Sequence, residues 1–121
     1  MAKPIGPYSP IVRAGEWLIT SGQLGLDPKA ETPTLVAGGT AAEFAQALEN
    51  GRALLEANGA SLSDVVRTAI FLTDLGDYAA MNEVYVSYFG DHRPARSAIG
   101  VAALPMGAAI EVEFWAFTPN A

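Results

Sequence analysis

Between positions 94 and 113 the only charged side chains are Arg96, Glu111 and Glu113. The rest of the stretch is apolar or small, and it reads as two alternating strands joined by a turn containing Pro105 and Gly107. A guanidinium set among small neighbours such as Ser97 and Ala98 can bind a small carboxylate through two parallel hydrogen bonds, because its planar fork matches the two oxygens. A glutamate on the companion strand can act as a general base that positions a water. The same residues also suit a plain ion pair across adjacent strands, Arg96 with Glu111 or Glu113, which would leave Glu111 no chemistry of its own. Spacing leaves both readings open.

Other chemistries find less support. His92 is the only histidine and stands in the polar turn of residues 90–93, where an exposed side chain without a catalytic role is expected. The chain has no cysteine, which removes disulfides, thiolate catalysis and sulfur-ligated metals together. With one histidine and no cysteine a metal site would need mostly carboxylate ligands, and these are not clustered, so no metal is expected. Thr20, Ser21 and Ser97 have no evident histidine partner for a hydrolase triad. Gly38-Gly39 lacks any phosphate-binding pattern and reads as a helix-starting turn.

Composition narrows the partners. At 121 residues, 50% hydrophobic and 17% charged, the chain is expected to form one domain over residues 1–121. A chain of this size buries roughly two thirds of its unfolded surface, enough for a core. Thirteen acidic residues against seven basic give a net charge of −6, which disfavours nucleic acid as a partner. The first residues carry no apolar leader and no run approaches 18 apolar residues, so neither a signal peptide nor a membrane span is expected. A cytoplasmic location follows as the expectation.

The elements that must position Arg96 and Glu111 can be read in order. Gly6-Pro7-Tyr8-Ser9-Pro10 is a loop stiffened by two prolines that should hold Tyr8 in place. Residues 11–13 and 17–21 flank Ala14-Gly15-Glu16 as a hairpin, delivering Ser21-Gly22-Gln23 at its end. Residues 24–39 are loop-like and expected to be mobile. Thr40 and Glu43 suit a capping box for a helix whose buried stripe is Phe44, Ala47, Leu48, Gly51, Leu54 and Leu55, stopped at Asn58-Gly59. Glu43, Glu49, Arg52 and Glu56 fall on its solvated side. Residues 65–73 read as a central strand covered on both faces. Asp77 can cap a second helix running through Phe89, with Tyr78, Met81, Val84, Tyr85 and Tyr88 or Phe89 in its core stripe and Asn82 and Glu83 beside it, ended by Gly90.

The order strand, strand, helix, strand, helix, strand, strand gives an α+β fold with both helices on one face of a single mixed sheet. In the last strand Ile110, Val112, Phe114 and Ala116 share one face, while Glu111, Glu113, Trp115 and Phe117 share the other. The face without helices would expose apolar residues, among them Val65, Ala69 and Phe71, and such patches mark subunit interfaces. A homo-oligomer is therefore expected.

Several segments in register carry a resemblance. Pro94-Ala95-Arg96-Ser97, Leu104-Pro105, Gly107-Ala108 and Ile110-Glu111-Val112-Glu113 resemble the signature of the Rid family, the reactive enamine/imine intermediate deaminases. Gly6-Pro7-Tyr8-Ser9, Thr20-Ser21-Gly22-Gln23, Gln46-Ala47-Leu48-Glu49-Asn50 and Asn82-Glu83-Val84-Tyr85 follow the family's order. The resemblance implies a ββαβαββ, chorismate-mutase-like subunit and a homotrimer with three clefts between subunits. It implies that Arg96 holds a substrate carboxylate, that Glu111 assists a water, and that Tyr8, Ser21, Gly22, Asn82 and the backbone beside Ala98 line the cleft. The implied reaction is cofactor-free hydrolysis of 2-imino acids such as 2-iminobutanoate and 2-iminopropanoate to 2-oxo acids and ammonia. A non-catalytic carboxylate-binding or regulatory module is the alternative, and an endoribonuclease a weaker third. Ala98 stands where many members have cysteine, Met106 where lysine is frequent, and Trp115 where a smaller aliphatic is common.

Overall fold

A computed structural model describes residues 4–119 as five strands and two long helices. Strands β1 (Ile11–Ala14) and β2 (Trp17–Thr20) form the expected hairpin, pairing antiparallel about Gly15 and Glu16. Helix α1 (Gly39–Ala57) follows, then β3 (Val65–Leu72), α2 (Tyr78–Phe89), β4 (Ala95–Gly100) and β5 (Ile110–Phe117). The sheet order is β1-β2-β5-β3-β4, with β3 and β4 parallel and every other pair antiparallel.

This order corrects the reading of β4 and β5 as neighbouring strands. A parallel pair needs a crossover, and α2 supplies it between β3 and β4. β4 therefore takes one edge of β3 and β5 takes the other. An ion pair between adjacent strands is ruled out for Arg96 and Glu111 by topology alone.

Both helices pack on one sheet face, as the sequence indicates. Phe44, Leu48 and Leu55 from α1 and Met81, Tyr85 and Phe89 from α2 enclose a core with Ile70, Leu72, Val112 and Phe114. Contact is close enough that a Cβ on Gly51 would stand 2.2 Å from the Phe114 ring, so only glycine fits at that crossing of α1 over β5. The opposite face is open: Trp17, Ile19 and Ile99 are exposed on it, and the Trp17 and Phe117 rings pack at 5.0 Å. β3 is thus covered on one face only. Val65 belongs to the covered face, because a bulge between Val65 and Arg67 adds a residue and reverses the alternation.

Three local expectations change. The residue before α1 is Gly38 in a left-handed conformation with no side-chain cap, while Thr40 Oγ1 donates to Asp77 at 2.6 Å and Glu43 accepts from Ala109 N–H at 2.9 Å. Tertiary partners have claimed both capping-box side chains, the carboxylate of Asp77, and Glu43 from the solvated side. The loop after Gln23 is fastened rather than loose: Leu24, Leu26 and Ala108 form a small second core, and Val36 N–H donates to Gly25 O at 2.9 Å. His92 is half-buried, its Nε2 2.6 Å from Val65 O, and so ties the turn after α2 to β3. No helix among the described residues is long and apolar enough to cross a membrane.

Candidate active site

Glu111 lies on the open face of β5, where strict alternation separates it from buried Ile110 and Val112. Beside it the chain leaves β2 and forms a short antiparallel bridge, Gln23 N–H donating to Val112 O at 2.7 Å and Val112 N–H donating to Gln23 O at 3.0 Å. That bridge sets the Gly22 backbone against the carboxylate. A Cβ on Gly22 would come within 2.6 Å of the Glu111 carboxyl carbon, so glycine is what admits the side chain here.

The N-terminal loop closes the other side. Ser21 N–H donates to Pro10 O at 2.9 Å and Ser21 Oγ donates to Ser9 O at 2.7 Å, which places Tyr8 at the rim. Tyr8 Oη accepts from Ile5 N–H at 3.3 Å. The result is a cleft of about 340 Å³ that Tyr8, Ser21, Gly22, Gln23, Glu111 and Glu113 share with the apolar Ile5, Leu24, Leu26 and Pro105. Burial and, after it, the charge of Glu113 push the Glu111 carboxyl above the ordinary glutamate range. Burial raises Glu113 likewise, against the opposing pull of Arg67.

Arg96 lies elsewhere. In register it pairs with Thr68, which pairs with Phe114, so its side chain emerges on the helix face of edge strand β4. One Nη donates to the Tyr78 hydroxyl at 2.9 Å, the other lies 3.8 Å from Met81 Sδ, and the guanidinium carbon stands 4.8 Å from the Tyr85 ring centre. Tyr85 is fixed in turn by a 2.8 Å hydrogen bond to Thr68 in the core. Cation–π contact with Tyr78 and Tyr85 holds the guanidinium, and its two Nη groups meet only a neutral hydroxyl and a thioether, partners that a carboxylate would displace. Among the described residues the one salt bridge joins Arg52 and Glu49, so no carboxylate neutralises Arg96.

Asn82 is half-buried on the α2 face that carries Tyr78 four residues before it and Tyr85 three after. Ala98, two residues along β4 from Arg96, packs at the edge of the core. The seven site residues read from the sequence thus fall into two groups. Tyr8, Ser21, Gly22 and Glu111 share the cleft, while Arg96, Asn82 and Ala98 lie on the α2 side of the sheet. Two strand spacings and three residues of rise separate Arg96 from Glu111, about 14 Å, and they point to opposite faces.

Glu113, Gln23, Tyr78 and Tyr85 join these groups although sequence reasoning had not placed them there. Glu113 could have been found from its alternation with Glu111; the two tyrosines had been assigned to the core stripe. No group of three His, Asp or Glu side chains able to hold a metal ion occurs among the described residues.

An arrangement of two helices on one face of a single mixed five-stranded sheet is the subunit fold of the Rid proteins, as comparisons with known proteins show. The family model described as endoribonuclease L-PSP matches residues 1–118. Human 2-iminobutanoate/2-iminopropanoate deaminase is 45% identical over 109 residues, covering 90% of this chain and 78% of that protein. A RutC family protein of Pyrococcus horikoshii is 47% identical over 115 residues, covering 95% and 90% respectively. The crystal structure of RidA from the Antarctic bacterium Psychrobacter superposes with a TM-score of 0.89 at 44% identity, covering 95% of this chain and 91% of that one. This chain belongs to the Rid (RutC/RidA) family.

Proposed function

We propose that this protein hydrolyses reactive 2-imino acids, of the 2-iminobutanoate and 2-iminopropanoate kind, to 2-oxo acids and ammonia, in clefts that two subunits of a homotrimer build together. The observation that carries the reading is the half-buried Arg96 guanidinium, held by aromatic rings and left without a carboxylate, in a chain that also presents a desolvated Glu111. One is a receptor for a small carboxylate; the other is an acid–base group poised to exchange a proton. Because they face opposite ways within one subunit, a single substrate reaches both only if Arg96 of one copy meets Glu111 of a neighbour. The open, partly apolar sheet face supplies a surface for that association.

In this reading Arg96 grips the carboxylate of the protonated imine and fixes the imine carbon in the cleft. Water adds to that carbon, its oxygen forming the new bond as the C=N pair moves to nitrogen. Glu111 takes the proton the water releases and returns it to the nitrogen. The C–N bond then breaks with its electron pair leaving on ammonia, the hydroxyl oxygen closes to C=O, and its proton departs as ammonium. Ala98 and the absence of cysteine mean that no thiol takes part. An RNA substrate fits poorly with two carboxylates in the cleft and a net charge of −6.

A coupled assay tests the proposal. Threonine dehydratase supplies the imine from threonine, and 2-oxobutanoate formation is followed with and without this protein. Acceleration in proportion to added protein is expected. No acceleration with several amino-acid precursors would contradict catalysis and favour a carboxylate-binding module.

A further inference from the structure

We propose that Asn50 is a positioning residue for Glu111: its buried carboxamide fixes the segment of residues 22–26, and through it the wall that orients the carboxylate. This inference rests on the cleft described above. Asn50 sits in the apolar stripe of α1 between Ala47, Leu48 and Leu54, and is only 9% exposed. Its Nδ2 donates to Leu24 O at 3.2 Å and to Leu26 O at 2.9 Å, and its Oδ1 accepts from Gln46 Nε2 at 2.8 Å. Both donors and the acceptor are used. Burying a carboxamide costs free energy unless its partners are supplied, and here they are the Leu24 and Leu26 carbonyls, which a leucine at position 50 would leave without that donor. The amide's contribution is thus to hold the backbone of that segment, which packing alone would not do.

The carbonyls of Leu24 and Leu26 belong to the segment that begins at Gly22 and Gln23, already fastened at its other end to Val112, the residue next to Glu111. Asn50 and β5 thus hold the segment from two sides, and Asn50 itself lines the cleft. The backbone at Gly22 has no slack against the carboxylate, so a shift of under an ångström there must move or hydrate Glu111. The titratable and charged groups in reach are few: Glu113 on the same strand, Arg67 on β3 acting on Glu113, and Tyr8 on the N-terminal loop.

The test reads Glu111 directly. Carbon-13 NMR of the Glu111 carboxyl is titrated in the wild type, in Asn50→Leu, which keeps the branched outline without the hydrogen bonds, and in Asn50→Ser, which leaves room for water. Expected are folded variants whose Glu111 titrates closer to an ordinary glutamate; under the proposed imine hydrolysis, kcat should also fall on the order of tenfold at a KM changed less than about threefold. Folded variants with an unmoved Glu111 titration would overturn the proposal. So would variants that are both unfolded, since Asn50 would then be a stability residue. The titration needs no turnover, so a protein inactive on imines would sink the catalytic reading without deciding this one.

Discussion

Gly22 and Glu111 are in contact across the bridge between the end of β2 and β5, at a separation that leaves no space for a methyl group. A Cβ on residue 22 would meet the carboxyl carbon at 2.6 Å and Oε2 at 2.7 Å. The contact is with the far end of a flexible side chain, so the carboxylate would move while the backbone stayed.

Gly22→Ala is therefore expected to fold with a melting temperature within a few degrees of wild type and to lose imine hydrolysis by roughly tenfold to a hundredfold, the cost of an ångström-scale displacement of a reacting group. Thermal melts beside steady-state kinetics check this. Full activity in Gly22→Ala would mean that the position of Glu111 is immaterial.

The raised pKa of Glu111 gives a pH signature with a definite sign. Burial and Glu113 make Glu111 easier to protonate in the folded chain than in the unfolded one. Its contribution to stability is complete below the unfolded pKa, about 4.3, and is lost as pH rises through the higher folded value. Glu111→Gln carries no such loss. Urea unfolding should show the variant gaining on wild type as pH rises through that window and the two converging in acid. Wild-type kcat should climb over the same window as Glu111, the proposed general base, ionises, and Glu111→Gln should lack that limb.

Arg96→Ala should stay folded, because it removes aromatic and tyrosine contacts and strands no carboxylate. Loss of a charge-assisted, bidentate contact to substrate of about 2–5 kcal/mol should lower kcat/KM by tens to several thousandfold. Arg96→Lys should recover only part, since an ammonium has no planar fork. Kinetics on variants confirmed folded by circular dichroism decide it.

Much of this fold was legible in the chain. The alternation of Ile110, Glu111, Val112 and Glu113 gave the two faces of β5, and the 3.6-residue spacing from Phe44 to Leu55 gave the buried side of α1. What was hidden depends on contacts distant in sequence. β4 and β5 are consecutive, so they read as a pair, yet the β3-α2-β4 crossover separates them. The bulge at Val66 turns Val65 inward against its pattern. Thr40 and Glu43 match a local cap, but Asp77 and Ala109 bind them more closely. Of the site, Arg96 and Glu111 stood out by charge in an apolar stretch, whereas Asn50 was passed over within a helical stripe. Its mark was a carboxamide at a buried position, four residues after Gln46.

The central claim is that each working cleft takes Arg96 from one subunit and Glu111 from another, and subunit mixing tests it most directly. Arg96→Ala and Glu111→Gln chains, each strongly impaired alone, are denatured together in equal amounts and refolded, with light scattering to follow assembly. At each interface the intact Arg96 half is present in one case of two and the intact Glu111 half in one of two, so random assembly should restore about a quarter of wild-type activity. A mixed assembly no more active than either parent would contradict the account.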